Sequence, residues 1–178
     1  DVTARWTKKG TWGHFSVAGL ARQLRHETAA TSASGSGFGV SVSGKYNIGK
    51  NDDIRYMLTG GQGIGRYVGF ALGADGVLDA TASDIDGTGV LAGFVAWRHV
   101  FDPKLRGNLM FSRAQFDNDT DWTGFGVTKS AQSIHANLIY SPFPKLDIGA
   151  EFIFGNRELE SGADGELRRL HTTVKYSF

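Results

Sequence analysis

Cationic side chains recur at alternate positions of short segments in which apolar side chains fill the positions between. In the last such segment Leu170, Val174 and Tyr176 alternate with Arg169, His171 and Lys175. A period of two places these two sets on opposite faces of a β-strand. Lysine and arginine along a water-facing strand face attract carboxylates and other anions. The chemistry predicted for these residues is therefore the binding of anions rather than the making or breaking of covalent bonds.

Repeating this reading along the chain gives a set of titratable residues on the polar faces of the predicted strands. The predicted pore-lining or substrate-contacting residues are Arg22, Lys45, Arg55, Arg98, Arg106, His135, Arg157, Arg169, His171 and Lys175. Asp147 and Glu151 share these faces, and we interpret them as salt-bridge partners, although paired carboxylates also occur in catalytic sites. A water-filled lumen lined in this way would favour anions.

A glycine-rich run superficially suggests a phosphate-binding loop. Gly61, Gly63 and Gly65 are followed by Arg66. The spacing matches neither common phosphate fingerprint, and the sequence predicts no helix after the run. We therefore interpret it as part of a loop.

Metal binding is weakly indicated. Asp117, Asp119 and Asp121 have the one-three-five spacing of a calcium loop, but Thr128 stands where the bidentate glutamate should be. A loose cation site near lipid headgroups remains open as an alternative. The five histidines are scattered without ligand spacing. The sequence predicts no catalytic residue, no enzyme activity, no metal and no cofactor.

Composition narrows the class of protein. The formal net charge of +1 gives no basic excess for a nucleic-acid partner. No apolar run approaches the roughly 18 residues of a membrane-spanning helix, so only strands could cross a bilayer. Cysteine is absent, which suits an exported barrel and also a cytoplasmic protein. No basic and apolar leader precedes Asp1, and we expect either a mature product or a fragment.

Alternation separated by turn signals predicts an all-β, antiparallel transmembrane barrel in a single domain, 1–178. The predicted strands are 1–6, 12–25, 37–48, 53–59, 89–101, 105–116, 128–140, 146–156 and 166–178. Short connections at 7–10, 49–51, 102–104 and 141–144 alternate with longer ones at 28–35, 60–88, 117–126 and 157–165. This alternation is typical of bacterial outer-membrane barrels.

The direction of the two faces is not set by periodicity, because a soluble lipocalin-like carrier also alternates, with its apolar face inward. Three features favour the membrane: cationic residues of one parity, the alternation of turn lengths, and an aromatic carboxy terminus. Aromatic residues also gather near strand ends, as interfacial girdles require. They are Trp12, Tyr46, Trp97, Tyr140, Tyr176 and Phe178.

With the strands placed, the chain resembles the carboxy-terminal half of DcaP-like porins. The resemblance lies in "DVTARWTKKGTWGHFSVAGLARQL", "DDIRYMLTGGQGIGRYVGF", "GFVAWRHVFDPKLRGNLMFS" and "TVKYSF". It implies a trimeric, sixteen-stranded channel of the Gram-negative outer membrane that passes small anions, notably dicarboxylates. The partners implied are outer-membrane lipids, lipopolysaccharide and the barrel-assembly machinery, for which Tyr176 and Phe178 resemble the assembly signal.

Length is where the chain departs from the resemblance, because such a porin needs about twice as many residues. Counting from Trp12 gives eight strands, and 1–8 would hold an extra strand belonging to a missing half. We therefore expect either part of a larger porin or, as the alternative, a closed eight-stranded barrel with a structural or adhesive role. The difference is physical, because about eight strands leave room only for their own side chains.

Overall fold

A computed structural model describes residues 1–29, 31–69, 72–79 and 83–178. In chain order the elements are β1 (Val2–Gly10), β2 (Gly13–Glu27), β3 (Ser32–Ile48), β4 (Asp52–Gln62), α1 (Gly65–Val68), β5 (Gly76–Leu78), β6 (Ile85–Gly87), β7 (Gly89–Asp102), β8 (Leu105–Asp117), α2 (Thr120–Thr123), β9 (Thr128–Tyr140), β10 (Leu146–Leu159) and β11 (Asp164–Tyr176). Nine strands form one antiparallel sheet in the order β1-β2-β3-β4-β7-β8-β9-β10-β11, and β5 pairs with β6. The predicted all-β, antiparallel architecture is confirmed.

The connections differ at the two ends of the sheet. At one end, which we call the tight-turn end, the strands are joined by 11–12, 49–51, 103–104 and 141–145. At the other, the loop end, the connections are 28–31, 63–88, 118–127 and 160–163. Long loops are therefore confined to one end, as predicted, but 28–31 and 160–163 are shorter than the sequence suggested because the flanking strands extend further.

Several strand boundaries were predicted wrongly, and the largest differences are at the end of β1 and the start of β3. β1 continues to Gly10 and pairs Lys9 with His14, so the turn lies at 11–12 rather than at 7–10. β3 begins at Ser32 rather than at residue 37. The Gly and Ser residues at 32–36, which the sequence predicted to precede the strand, pair with β2 and lie under the 63–88 loop. A side chain at Gly35 would place its Cβ 2.2 Å from the carbonyl oxygen of Ile85.

The described parts of the 63–88 loop contain more regular structure than the sequence predicted. It contains α1 and the β5–β6 hairpin, so the expectation that no helix follows Gly65 was wrong. Ile64 is buried with Val90, Ala114 and Phe116 in one apolar cluster, against which Leu72 packs. The loop thereby covers part of one sheet face. Positions 70, 71 and 80–82 of this predicted loop, and position 30 of the predicted 28–35 loop, lie outside the described residues.

The sheet is open. In the described part of the chain, β1 and β11 form its two edges and do not pair with each other. All residues of both edge strands are exposed. The alternative of a closed eight-stranded barrel is therefore wrong for this structure, because closure needs the two edges to exchange hydrogen bonds. Among the described residues, no helix is long and apolar enough to cross a membrane.

Candidate functional site

Strand register decides which side chains share a face, because directly paired residues of neighbouring strands point the same way. Pairs such as Lys45 with Arg55 and Glu151 with His171 connect one parity across the sheet. By this register all ten predicted cationic or histidine residues lie on a single face, which we call the polar face. Whether they line a pore stays a prediction.

Four basic residues form one continuous row on the polar face. Lys9 pairs with His14, His14 with Lys45, and Lys45 with Arg55. Neighbouring strands lie about 4.8 Å apart, so the row is a short ladder of cationic and titratable groups. We call these four residues the basic row. The prediction missed Lys9 by placing it in a turn, and it did not select His14 although its parity on the second predicted strand was already polar.

One carboxylate lies beside the basic row and is shared by two arginines. Asp53 accepts from Arg55 Nε at 2.7 Å and from Arg98 Nη1 at 3.2 Å. Its side chain is 8% exposed, whereas that of Arg55 is 48% exposed. Two guanidinium groups on one carboxylate leave a local positive excess and hold both arginines in place. Asp53 was not among the predicted site residues.

The other half of the polar face carries amides and carboxylates. Asn108 donates to Asn137 at 2.7 Å, and Asn137 donates to Glu151 at 3.0 Å. His135 Nδ1 lies 3.5 Å from Glu151 Oε1, and its Nε2 lies 3.0 Å from Ser133 Oγ. The polar face is therefore asymmetric, with basic residues concentrated on β1–β4 and a hydrogen-bonded, partly acidic network on β8–β10.

Two further predicted residues are anchored. Arg106 contacts Asp147 at 3.0 Å and donates to Ser141 Oγ at 2.8 Å. Arg157 donates from Nε to Thr128 Oγ1 at 2.9 Å. The salt bridge predicted for Asp147 is thus present with Arg106, and it reduces the charge available to a solute. The contact of Glu151 with His135 is a salt bridge only when the imidazole is protonated.

Five of the predicted residues lie on the edge strand β11 or after it. Arg169, His171 and Lys175 are exposed on the polar face, and Tyr176 is exposed on the opposite face. Phe178 follows the strand and is fully exposed. The assembly role of Tyr176 and Phe178 stays a prediction.

Arg22 differs from the other predicted residues, because the 63–88 loop covers it and leaves 4% of its side chain exposed. Its Nη1 donates to the carbonyl of Gly63 at 2.9 Å and lies 3.0 Å from Asp75. Asp1 lies 3.4 Å from Nε, and the ring of Tyr67 is 5.5 Å from the guanidinium carbon. Arg22 therefore binds the loop's own groups and anchors the loop to the polar face.

The other motifs have structural roles. Arg66 makes two contacts with Asp75, from its backbone nitrogen at 2.8 Å and from Nε at 3.1 Å, which closes the glycine-rich segment on itself. Asp119 caps α2 by accepting from the backbone nitrogen of Asp121 at 3.1 Å. Within the described residues, no group of three or more His, Cys, Asp or Glu side chains could hold a metal ion.

The face opposite the polar face, which we call the outward face, is apolar along most of its length. Among its exposed residues are Leu58, Val95, Leu109, Leu138 and Phe152. The aromatic residues predicted as girdles lie at the tight-turn end, where Trp97 Nε1 donates to Asp52 at 2.7 Å. His99 Nδ1 lies 2.8 Å from the same carboxylate oxygen. This end of the outward face thus carries an aromatic rim with a polar anchor.

An antiparallel sheet with one apolar and one polar face, tight turns at one end and longer loops at the other is the architecture of outer-membrane β-barrels. In agreement with this, the chain is similar to the crystal structure of the outer membrane channel DcaP of Acinetobacter baumannii, with a TM-score of 0.85 and 21% sequence identity. The match covers 99% of this chain and 51% of that channel, so the chain spans about half the length of the protein it resembles.

Comparison with protein-family models found no match, and comparison with curated proteins found none either. At 21% identity the structural likeness shows the fold. The resemblance to DcaP-like porins predicted from the sequence is therefore confirmed for the fold.

Proposed function

We propose that this protein is a passive channel of the bacterial outer membrane that favours small anions such as dicarboxylates. The observation that carries the proposal is the basic row, Lys9, His14, Lys45 and Arg55, on neighbouring strands. The same row continues through Ala96, Met110, His135, Ile153 and Arg169. It crosses the whole sheet without a carboxylate.

The magnitude of this effect depends on the width of the pore. One unit charge at 4 Å contributes only about 1 kcal/mol in bulk water. Several like charges on one wall add, and a narrow passage with a low-dielectric wall strengthens each of them. Neighbouring strands lie about 4.8 Å apart, so a short dicarboxylate could place one carboxylate on each of two cations of the basic row.

The asymmetric distribution of charge on the polar face supports a preference for anions over unselective permeation of ions. The carboxylates Asp53, Asp147 and Glu151 each contact a cationic or histidine side chain. Lys9 is exposed and Lys45 is half-buried. Neither side chain has an ion pair within 4 Å among the described residues. The unneutralised charge on this half of the face is therefore positive. No covalent step is part of this function.

The test is ion selectivity of the full-length channel in planar bilayers. Lys9 and Lys8 are adjacent in sequence but lie on opposite faces, and Arg25 lies on the outward face. Reversing Lys9 and Lys45 to Glu together should shift the reversal potential in a salt gradient toward cations. Reversing Lys8 and Arg25 to Glu, which changes the total charge equally, should leave it nearly unchanged.

The salt dependence provides an independent control. At 1 M salt the Debye length falls to about 3 Å, so the difference between the two double variants should shrink. A wild-type channel that conducts but prefers cations would show that the anion assignment is wrong. A folded protein that never conducts would contradict the channel itself.

Trimer formation and recognition by the barrel-assembly machinery belong to the same proposal and rest on the resemblance. The outward apolar face supports a place in the lipid of an outer membrane. Among the described residues of β7–β10 it exposes side chains such as Leu91, Leu109, Leu138 and Phe152 to whatever surrounds the sheet. Hydrocarbon satisfies such a surface, whereas water does not.

A further inference from the structure

The outward face has an apolar groove where β4, β7 and β8 meet. Gly93 faces outward between Leu58 on β4 and Arg113 on β8, to which it is directly paired. With no side chain at this position, the flanking residues border a groove of about 390 Å³. Leu58, Leu91 and Phe111 contribute its apolar wall, and Arg113 lies on its border. This volume is in the range of small-ligand sites.

The groove is fixed by backbone geometry rather than by chance. A Cβ at Gly93 would lie 2.4 Å from the carbonyl oxygen of Met57 and 3.2 Å from Leu58 Cδ1. The close approach of β4 thus excludes a side chain at the bottom of the groove. The groove therefore stays open along the outward face.

Arg113 gives the groove a cationic end. Its side chain is exposed on the outward face, two residues after Phe111 on the same strand. It has no ion pair within 4 Å in the described part of the chain. The nearby carboxylate of Glu158 is bonded to Lys129 at 3.0 Å. A guanidinium at the border of an apolar surface requires an anion or water, and it binds phosphate in a bidentate manner.

The neighbours of Arg113 are polar donors. Register continues the row from Arg113 to Gln132 on β9 and Asn156 on β10. These amides face outward at the loop end, whereas the aromatic rim with Trp97 and Tyr140 lies at the tight-turn end. The two rims of the apolar belt are therefore suited to different headgroups. Amides bind sugar hydroxyls, whereas aromatic rings lie at the level of phospholipid headgroups.

We propose that the groove over Gly93 and Arg113 binds a phosphorylated glycolipid of the outer leaflet. The phosphate binds the guanidinium of Arg113, one acyl chain lies along Leu58, Leu91 and Phe111, and the amides of Gln132 and Asn156 contact the sugar. This assignment rests on the proposed function, because a barrel of the bacterial outer membrane has its longer loops on the outside of the cell. Charge, donors and apolar groove occur together at this place on the outward face.

The experiment measures lipid binding to the detergent-purified full-length channel by native mass spectrometry. The probes are lipid A, dephosphorylated lipid A and phosphatidylglycerol. Arg113→Gln should weaken lipid A binding by roughly tenfold, the loss expected for one charged hydrogen-bonded contact. It should not affect binding of the dephosphorylated form, and Arg113→Lys should retain part of the affinity.

Arg25→Gln is the matched control, because Arg25 is also an outward arginine at the loop end and its side chain is 68% exposed. It should leave lipid A binding unchanged. Leu91→Trp, which fills the groove without touching the charge, should weaken lipid A binding as Arg113→Gln does.

Three outcomes would overturn the proposal. They are an equal loss of lipid A binding in Arg25→Gln, equal affinity of the wild type for phosphatidylglycerol and lipid A, and a change of oligomer mass in Arg113→Gln that marks a second copy as the occupant.

Conductance separates this proposal from the proposed function. Arg113→Gln should keep wild-type ion selectivity, since Arg113 is on the outward face. Phosphate-dependent binding by a protein that does not conduct would support the glycolipid site while contradicting the channel.

Discussion

Two arginines on β2 show how much the neighbours of a residue determine its role. Arg22 lies on the polar face with 4% of its side chain exposed, beside Asp1 and Asp75. Arg25, three positions later, lies on the outward face with 68% exposed and only a 3.7 Å contact to Glu27. A buried cation depends on its partners, because an uncompensated charge away from water is costly. Arg22 is thus a structural anchor, whereas we expect folding to depend little on Arg25.

We expect Arg22→Ala to lower the free energy of unfolding by about 2–4 kcal/mol. This loss lies at or below the usual cost of breaking a buried ion pair, because Asp1 and Asp75 retain some contact with water. Arg25→Ala should change the free energy of unfolding by less than about 0.5 kcal/mol. Urea titrations in lipid vesicles measure both, and protease cleavage within 63–88 should increase only in Arg22→Ala. Equal stabilities would show that Arg22 does not anchor the loop.

At the level of residues, the face of each cationic side chain could be predicted, but its partners could not. A period of two is a local property, so Lys45, Arg98 and Lys175 were placed on the correct parity. The pairing of Lys9 with His14 depends on a turn at 11–12, and a misplaced turn removes that residue from the row. The contacts of Arg22 with Asp75 join distant parts of the chain, and no sequence period reports them.

Among the elements, β3 shows why small residues cannot be assigned to turns by composition alone. Gly35 is a strand residue that pairs with Leu24, and Ile85 of the β5–β6 hairpin lies directly over it. Its small size permits the loop to approach the sheet. Gly19 on β2 is different, because a Cβ there would meet nothing within 4 Å.

This contrast gives a matched pair of glycine substitutions. Gly35→Ala should cost about 1–3 kcal/mol through overpacking and should expose 63–88 to protease, because the Cβ collides with a backbone oxygen. Gly19→Ala should be neutral or stabilise by up to about 1 kcal/mol, since Gly is unfavourable within strands. Unfolding titrations and protease digestion of both variants test the packing. A neutral Gly35→Ala would contradict the position of the hairpin over β3.

For the whole molecule, the long strands, their order and the end that holds the long loops followed from the sequence, because alternation and turn residues are local signals. The open sheet did not follow, since strand count alone cannot distinguish a closed barrel from an arc with two free edges. The fold of the 63–88 loop was also missed. Its apolar contacts, such as Ile64 with Phe116, bring together segments far apart in sequence.

The orientation of the two faces has the largest consequence for the whole molecule, and Leu138 and Ile139 test it. They are adjacent on β9, similar in size, and lie on the outward and polar faces respectively. Leu138 is 52% exposed within the apolar belt. Leu138→Arg should cost about 2–4 kcal/mol if the site lies near the bilayer midplane, and less nearer the interface. Ile139→Arg, facing water in a channel, should cost less than about 1 kcal/mol.

Unfolding titrations of the full-length channel in lipid vesicles provide the comparison. If the protein is instead a soluble carrier with its apolar face inward, it should fold without detergent. In that case both the wild type and the Ile139→Arg variant should remain in solution. In a membrane channel the outward face contacts hydrocarbon, so the loss in Leu138→Arg should depend on the lipid. Because the two substitutions introduce the same side chain one residue apart, helix or strand propensity cannot explain a difference. Equal losses would therefore show that the face assignment, and with it the basic row as a channel wall, is wrong.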